Sequence, residues 1–506
     1  MEGFREEEER EERGPHSGWV YERHAPEQTL LYRVIAQYYP RLVEHLEREQ
    51  RPLPSYVQRE FTEYLRCGRL EYGFLRVRCA DCHAEKRVAF SCKRRGFCPS
   101  CGARRMVESA ALLVDEVIPH VPMRQWVLSV PYPLRFLFAT HPQALGQCLG
   151  IVYRAIASFL IKKKAGLTHQ KAQCGAVTLI QRFGSALNLN VHFHMLIPDG
   201  VYVSGPSPYL RKVSAPSVSQ LHELLQKISV RIGRHLERVG LLVRDVDNSY
   251  LDLDSGSPGE RRAGEGRGSV EERQTLEDLQ THSITYRIAV GAHKGRKAFM
   301  LQSLPPLSEG EERPGVAQLS GFSLHAGVAA AAHQRYKLER LARYITRPVL
   351  ALERLSLTPQ GHIRYALKTP YRDGTTHVIL EPLDFLARLA SLVPLPRVNL
   401  TRFHGVFAPH AGLRMRIVPA QRKPQHAGPD EEGAFAHRHR AMTWAQRLRR
   451  VFNIDIETCD RCGGAMKIVA CIQDPGVIRK LLQAAAASGP LTHAPPARAP
   501  PGGISG

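Results

Sequence analysis

His192 and His194 are separated by a single residue inside the run Leu187-Asn188-Leu189-Asn190-Val191-His192-Phe193-His194-Met195-Leu196. Apolar and polar side chains alternate along it, the signature of a half-buried strand. Leu187, Leu189, Val191, Phe193 and Met195 fall on one face. Asn188, Asn190, His192 and His194 fall on the other. Two histidines so placed stand roughly 6–7 Å apart along the strand, and a rigid strand can present both imidazoles to one metal ion. A histidine pair alone is more readily a surface or satisfied pair, so the rest of the chain must supply a use for the metal.

A second group lies in the helical stretch Ala329–Arg347, which Pro348 stops. Tyr336, Arg340 and Tyr344 recur every fourth residue and share a face. Arg347 follows one turn after Tyr344 and Arg343 adjoins it. Leu338, Leu341 and Ile345 form the apolar stripe. A tyrosine flanked by guanidiniums sits where a phosphate could be held. Its hydroxyl is a workable nucleophile toward phosphorus when a metal polarises the phosphate. Taken alone, Tyr344 reads as a packing tyrosine of an amphipathic helix.

The third group is cysteine. Cys79-Ala-Asp-Cys82 and Cys98-Pro-Ser-Cys101 form the pattern C-x2-C-x15-C-x2-C, which fits the four ligands of a tetrahedral zinc ion. Cys92 and His83 lie between the pairs and could replace one ligand. Cys459 and Cys462 form another C-x-x-C, half a site, to which Cys471 could add a third thiolate.

These groups must be positioned by the elements around them. Helical periodicity covers Thr29–Arg66, interrupted at Arg51-Pro52-Leu53-Pro54. Strands are expected over Gln125–Tyr132 and Ala176–Arg182. The latter forms an antiparallel hairpin with the histidine strand through Phe183-Gly184-Ser185, and Asp199-Gly200 ends it. Helices are expected at 143–163 and 217–240, and strands at 285–290, 298–303, Gly361–Thr369 and Thr375–Leu380. The last two are joined by Tyr371-Arg372-Asp373-Gly374. His404 and His410 read as structural, in a Pro-containing loop.

The 506 residues carry a formal net charge of +22, although Glu6–Glu12 is almost all acidic. A basic excess of that size points to a polyanion, nucleic acid before membrane. No apolar run is expected to reach the ~18–20 residues of a membrane helix, and the polar N-terminus does not resemble a signal peptide. With cysteines in C-x-x-C pairs, a reducing cytoplasm is expected. The expected organisation is a charged disordered arm over 1–27 and a helical, zinc-binding domain over 28–108. A catalytic domain over 109–420 follows, with a flexible insertion at 253–272. A basic region with the last C-x-x-C covers 421–483, and a disordered tail 484–506.

With these motifs in place, the chain resembles the insertion sequence 91 family of transposases and the related common region elements. The resemblance rests on Ala89-Phe90-Ser91-Cys92-Lys93 with Gly96-Phe97-Cys98-Pro99-Ser100-Cys101, on Gln181–Asn190 leading into the histidines, and on Asp199-Gly200-Val201. It also rests on Lys337-Leu338-Glu339-Arg340 leading into Tyr344, and on His404–His410. His192-Phe193-His194 is similar to the histidine–hydrophobe–histidine signature of HUH endonucleases. The resemblance implies an α+β fold, with a zinc-binding domain ahead of a central antiparallel sheet flanked by helices. It implies rolling-circle transposition, in which Tyr344 attacks single-stranded DNA to give a 5′-phosphotyrosine. His192 and His194 would hold Mg²⁺ or Mn²⁺, with Gln181 the candidate third ligand and Asn190 its competitor. Structural Zn²⁺ would sit on Cys79, Cys82, Cys98 and Cys101, and Arg340, Arg343 and Arg347 would hold DNA phosphates. The partners would be single- and double-stranded DNA of the element ends and target, in the bacterial cytoplasm at the nucleoid, with no membrane. Some members carry two tyrosines about one turn apart. Tyr336 is two turns from Tyr344, roughly 12 Å, so the chain looks like a single-tyrosine member, and a second protomer is one way to complete both strand transfers. A plasmid replication initiator or relaxase with the same chemistry, or a non-catalytic zinc-dependent DNA-binding protein, are the competing readings.

Overall fold

The apolar alternation of the histidine run becomes a strand at the centre of a sheet. The structure, a computed structural model, describes residues 19–20, 25–244, 249–251, 269–305, 315–419, 446, 454–455 and 457–487. Most of the expected arm, the insertion before 269, the basic stretch 421–450 and the tail after 487 lie outside these residues. The chain divides into two units, one of Met1–Glu27, Arg66–Cys92 and Ile454–Gly506, the other of Gln28–Leu65 and Lys93–Asn453.

In chain order the larger unit uses α1 (Leu30–Arg48), α2 (Ser55–Arg66), α3 (Pro99–Ala111), β1 (Met123–Ser129), α4 (Tyr132–Thr140) and α5 (Pro142–Ser158). Then come β2 (Gly175–Phe183), β3 (Leu189–Pro198), α6 (Val218–Arg238), α7 (Val270–Ile284), β4 (Phe299–Gln302), β5 (Val316–Leu319) and β6 (Phe322–Ala330). It closes with α8 (Arg335–Thr346), β7 (Leu355–Leu357), β8 (Ile363–Ala366), β9 (Thr375–Leu380), α9 (Pro382–Leu392) and β10 (Thr401–Gly405). The class is a mixed helix and sheet fold with antiparallel sheets. Local chemistry sets several boundaries. Thr29 caps α1, and Ser217 with Gln220 and Ser269 with Glu272 form capping boxes on α6 and α7.

The main sheet has the order β5-β6-β1-β3-β2-β10, every neighbour antiparallel. Because side chains alternate, β3 serves two cores. Leu189, Val191, Phe193 and Met195 pack with Leu149, Val152 and Ile156 of α5 and Ile228 and Ile232 of α6. Leu196, with Val177 and Leu179 of β2, packs on the opposite face against Leu338, Ala342 and Ile345 of α8. His192 and His194 share the parity of Leu196, so they face the α8 side. A second sheet in this unit has the order β4-β9-β8-β7.

Several expectations change. Leu187 has φ +56° and belongs to the turn, so the strand begins at Leu189. That turn is tight, since a Cβ on Gly184 would lie 2.3 Å from Asn188 Oδ1. Ala329 and Ala330 are the end of β6, and the tyrosine helix starts only at Arg335. The strand expected at 285–290 is absent; among the described residues Arg287 makes only an isolated bridge to Lys297. His404 lies in edge strand β10, paired with Ala176, not in a loop. An apolar helical stretch does exist: Pro142–Lys164 spans 23 residues and is apolar enough to cross a membrane by length and composition. Here its apolar side is core, because α5 covers one face of the main sheet.

In the smaller unit a three-stranded antiparallel sheet places Phe74–Cys79 between Glu85–Ala89 and Met466–Ile472. Residues nearly four hundred positions apart are thus neighbours, with Cys79 opposite Met466.

Candidate active site

The site is built on β3, β2 and β1. Gln181 lies directly opposite His192, and Val127 and Ser129 oppose His194 and His192 from the other side. The imidazole centroids are 4.9 Å apart. His192 Nδ1 lies 2.8 Å from the Asn190 carbonyl oxygen and donates to it, which leaves the Nε2 lone pair unused. His194 Nδ1 is 2.7 Å from Gln125 Nε2, and its Nε2 is 3.0 Å from Gln181 Oε1. So arranged, Nδ1 accepts and Nε2–H donates. A half-turn of the Gln125 amide exchanges its nitrogen and oxygen, makes Nδ1–H the donor, and frees the His194 Nε2 lone pair.

Both rings favour the neutral form. Burial pushes His192 down to about 4 despite the Asn190 carbonyl, and the charges of Arg347 and Arg135 add to the effect. Burial also holds His194 well below its ordinary value, and the neighbouring His192, then Arg347, further oppose a proton there. Neutral imidazoles beside an amide oxygen suit a divalent ion. The buried Oδ1 of Asn190, on the same strand parity, has no hydrogen-bond partner. His192, His194 and an amide oxygen of Gln181 or Asn190 therefore fit a divalent cation by donor chemistry.

Tyr344 stands on α8 with 41% of its surface exposed, while Leu338, Ala342 and Ile345 anchor the helix beneath it. Gln181 Nε2 reaches the carbonyl of Ile345 at 3.5 Å, which ties the end of α8 to the histidine strands. Pro348 disfavours the helical conformation at the residue before it. Arg347 accordingly leaves the helix at φ −56°, ψ 156°. Its guanidinium then lies over Tyr344, 4.4 Å from the ring centroid, and near Phe183 at 5.4 Å. Lys368 Nζ approaches the same ring to 4.1 Å.

Of the three arginines expected at phosphate, Arg347 alone has its guanidinium at the Tyr344 ring among these contacts. Arg340 lies over Tyr336, 5.9 Å from its centroid, because its side chain runs toward the start of the helix. Arg343 is half-buried on α8. Sequence reasoning missed Lys368, which no motif marks and which a hairpin delivers from outside α8. It also missed Gln125, although a buried amide inside the apolar strand Met123–Ser129 was a signal.

The cysteine assignment is corrected. Cys79 and Cys82 are not joined by Cys98 and Cys101; they stand with Cys459 and Cys462, all four sulfurs within 4.8 Å of one another. Cys79 Sγ is 3.5 Å from Cys462 Sγ, as is Cys82 Sγ from Cys459 Sγ. The reason is strand pairing, which brings both C-x-x-C turns to one end of the three-stranded sheet. Gly463 has φ +76°, and a Cβ on Gly464 would meet Cys79 Sγ at 3.0 Å, so this knuckle requires glycine twice. Backbone N–H groups of Arg461 and Cys462 lower the Cys459 thiol to about 6. The Cys82 N–H lowers Cys79 as well. Four sulfurs in this arrangement fit tetrahedral zinc. Cys98 and Cys101 lie at the start of α3 in the larger unit, and Cys471 is exposed on its strand, outside the group of four.

Two family models match the chain. One, described as "transposase zinc-binding domain" of the insertion sequence 91 type, covers residues 34–130. The other, described as "putative transposase", covers 175–414 and so includes both histidines, Gln181, Tyr344 and Lys368. No curated protein and no solved structure matches. The basic chain, its zinc-binding domain and these matches define a DNA-processing enzyme, a transposase. The chain belongs to the insertion sequence 91 family of transposases. Cys459 and Cys462 lie outside both matched segments, so the ligands that complete the Cys79–Cys82 group come from a region neither model describes.

Proposed function

We propose that this transposase cleaves and rejoins single-stranded DNA at element ends through a 5′-phosphotyrosine on Tyr344, by HUH-type chemistry that drives rolling-circle transposition. The observation that carries the reading is the placement of Arg347. Its guanidinium lies 4.4 Å from the Tyr344 ring centroid and 5.4 Å from that of Phe183, on the strand paired with the histidine strand. A cation beside both the proposed nucleophile and the histidine hairpin is where a phosphodiester would be held.

In the proposed step the Tyr344 Oη attacks phosphorus in line and the bond from phosphorus to O3′ breaks. The phenolic proton is lost to solvent, the leaving O3′ takes up a proton, and the 5′-phosphate stays esterified to Tyr344. One phosphodiester replaces another, so no nucleotide is hydrolysed, and attack by a 3′-OH on the phosphotyrosine reverses the sequence. Arg347 and Lys368 balance the phosphate charge. His192, His194 and Gln181 would hold Mg²⁺ or Mn²⁺, which when bound supplies Lewis-acid polarisation of the phosphate. The fully apolar far side of β3 fixes the two imidazoles, since Val191 and Phe193 cannot move without opening the core.

The test separates binding from chemistry. With single-stranded element ends and Mn²⁺, wild type should form a covalent protein–DNA adduct. His192→Ala and His194→Ala should each abolish it. Their affinity for the same strand should stay within about threefold of wild type, because affinity rests on phosphate contacts. Loss of binding in parallel with loss of cleavage would remove the metal-holding role.

A further inference from the structure

The second sheet of the larger unit turns one face to solvent, and that face carries large exposed apolar side chains beside cations. Phe299 on β4 is 63% exposed and Leu301 is 37% exposed. Register places Phe299 beside Ile379 of β9, and Ile379 beside Arg364 of β8. The row therefore reads aromatic, aliphatic, guanidinium across three adjacent strands, roughly 10 Å from first to last at the usual strand spacing. Phe299, Leu301, Ile379 and Arg364 line a concavity of about 590 Å³ with Arg296 and Lys297 at its margin. Two acidic residues also line it, and both are engaged. Glu381 Oε1 is 3.0 Å from His293 Nδ1, and Asp384 is buried against Arg388 at 3.2 Å. Three cations, Arg296, Lys297 and Arg364, thus stand around an exposed aromatic ring against the single carboxylate of Glu381, so the lining keeps a net positive charge.

We infer that this face is a stacking platform for single-stranded DNA, distinct from the cleavage site and feeding it. An exposed aromatic on a sheet, flanked by cations, binds an unpaired base on the ring and its phosphates on the rim. A duplex hides its base faces and would not use the ring. The platform is also connected to the chemistry. The chain leaves β8 at Ala366 and two residues later places Lys368 against Tyr344. A strand whose base stacks on Phe299 can follow that hairpin toward the nucleophile. The inference rests on the proposed single-strand chemistry for its purpose, but its test does not.

The test uses the full chain and a fluorescently labelled oligothymidine without Mn²⁺, so that binding alone is read. Phe299→Ala should weaken binding roughly 5- to 100-fold, and Phe299→Trp should restore it. Tryptophan emission in that variant should be quenched by the oligothymidine and not by a duplex of equal length. Wild-type affinity in Phe299→Ala would overturn the platform, and so would unquenched emission in Phe299→Trp. A dimer that Phe299→Ala dissolves, with oligothymidine affinity unchanged, would overturn it in favour of self-association. Failure of the wild type to form a Tyr344 adduct would count against the cleavage reading only, because the binding arm needs no cleavage.

Discussion

At the scale of residues, the proposed site depends on contacts made by side chains whose roles differ. Lys368 approaches the Tyr344 ring from a separate hairpin, so it can be removed without disturbing α8. Lys368→Ala should slow adduct formation roughly 10- to 100-fold, with the arginine variant intermediate, when measured by single-turnover cleavage. A rate within twofold of wild type would make Lys368 a bystander. Gln125 acts through His194, whose Nδ1 it holds at 2.7 Å. Gln125→Ala should weaken Mn²⁺ binding about 10- to 100-fold, read by calorimetry, and excess Mn²⁺ should rescue cleavage. Unchanged Mn²⁺ affinity would show that the amide only fills space. The histidine pair was legible in the sequence because strand alternation sorts side chains by face. Lys368 was not, since its role comes from a contact between two elements that share no period. Arg340 misled for a related reason. Four-residue spacing put it on the face of Tyr344, but its side chain turns back to Tyr336.

At the scale of elements, the hairpin of β2 and β3 was readable from its alternation and turn residues, although its second strand starts at Leu189 rather than Leu187, and the register that sets Gln181 opposite His192 came only with the structure. The strand β6 was missed, although Phe322, Leu324 and Ala326 alternate with Ser323 and His325 after the Ser320-Gly321 turn, because the alternation breaks at Gly327 and small residues follow. Its last alanines looked like the start of a helix. The zinc group shows the limit of motif spacing more sharply. C-x2-C-x15-C-x2-C is a local pattern, whereas the observed group is made by pairing Phe74–Cys79 with Met466–Ile472. Four sulfurs serving one ion lose it together. Cys79→Ser and Cys459→Ser should therefore each lower the zinc content by one equivalent, and the double variant should lower it by the same one, measured by metal analysis of the full chain. Additive losses would mean that the two cysteines serve different ions.

At the scale of the whole molecule, charge and family agree. A net charge of +22 suits a protein that holds DNA, and the two matched segments assign the chain to a transposase family. The α+β class, the antiparallel sheet and the helices flanking it were expected from the sequence and are present. The smaller unit was beyond sequence reasoning, because its strands are drawn from both ends of the chain. What unites the reading is the claim that one side chain carries the covalent step, and that claim has a direct measurement. Trypsin should cut after Arg343 and spare the bond between Arg347 and Pro348, releasing Tyr344–Arg354 as one peptide. After reaction with a single-stranded element end and Mn²⁺, then nuclease and trypsin, mass spectrometry should find that peptide carrying a 5′-nucleotide on Tyr344, with no adduct in Tyr344→Phe. A nucleotide on Tyr336 or any other residue, or an adduct that persists in Tyr344→Phe, would contradict the account.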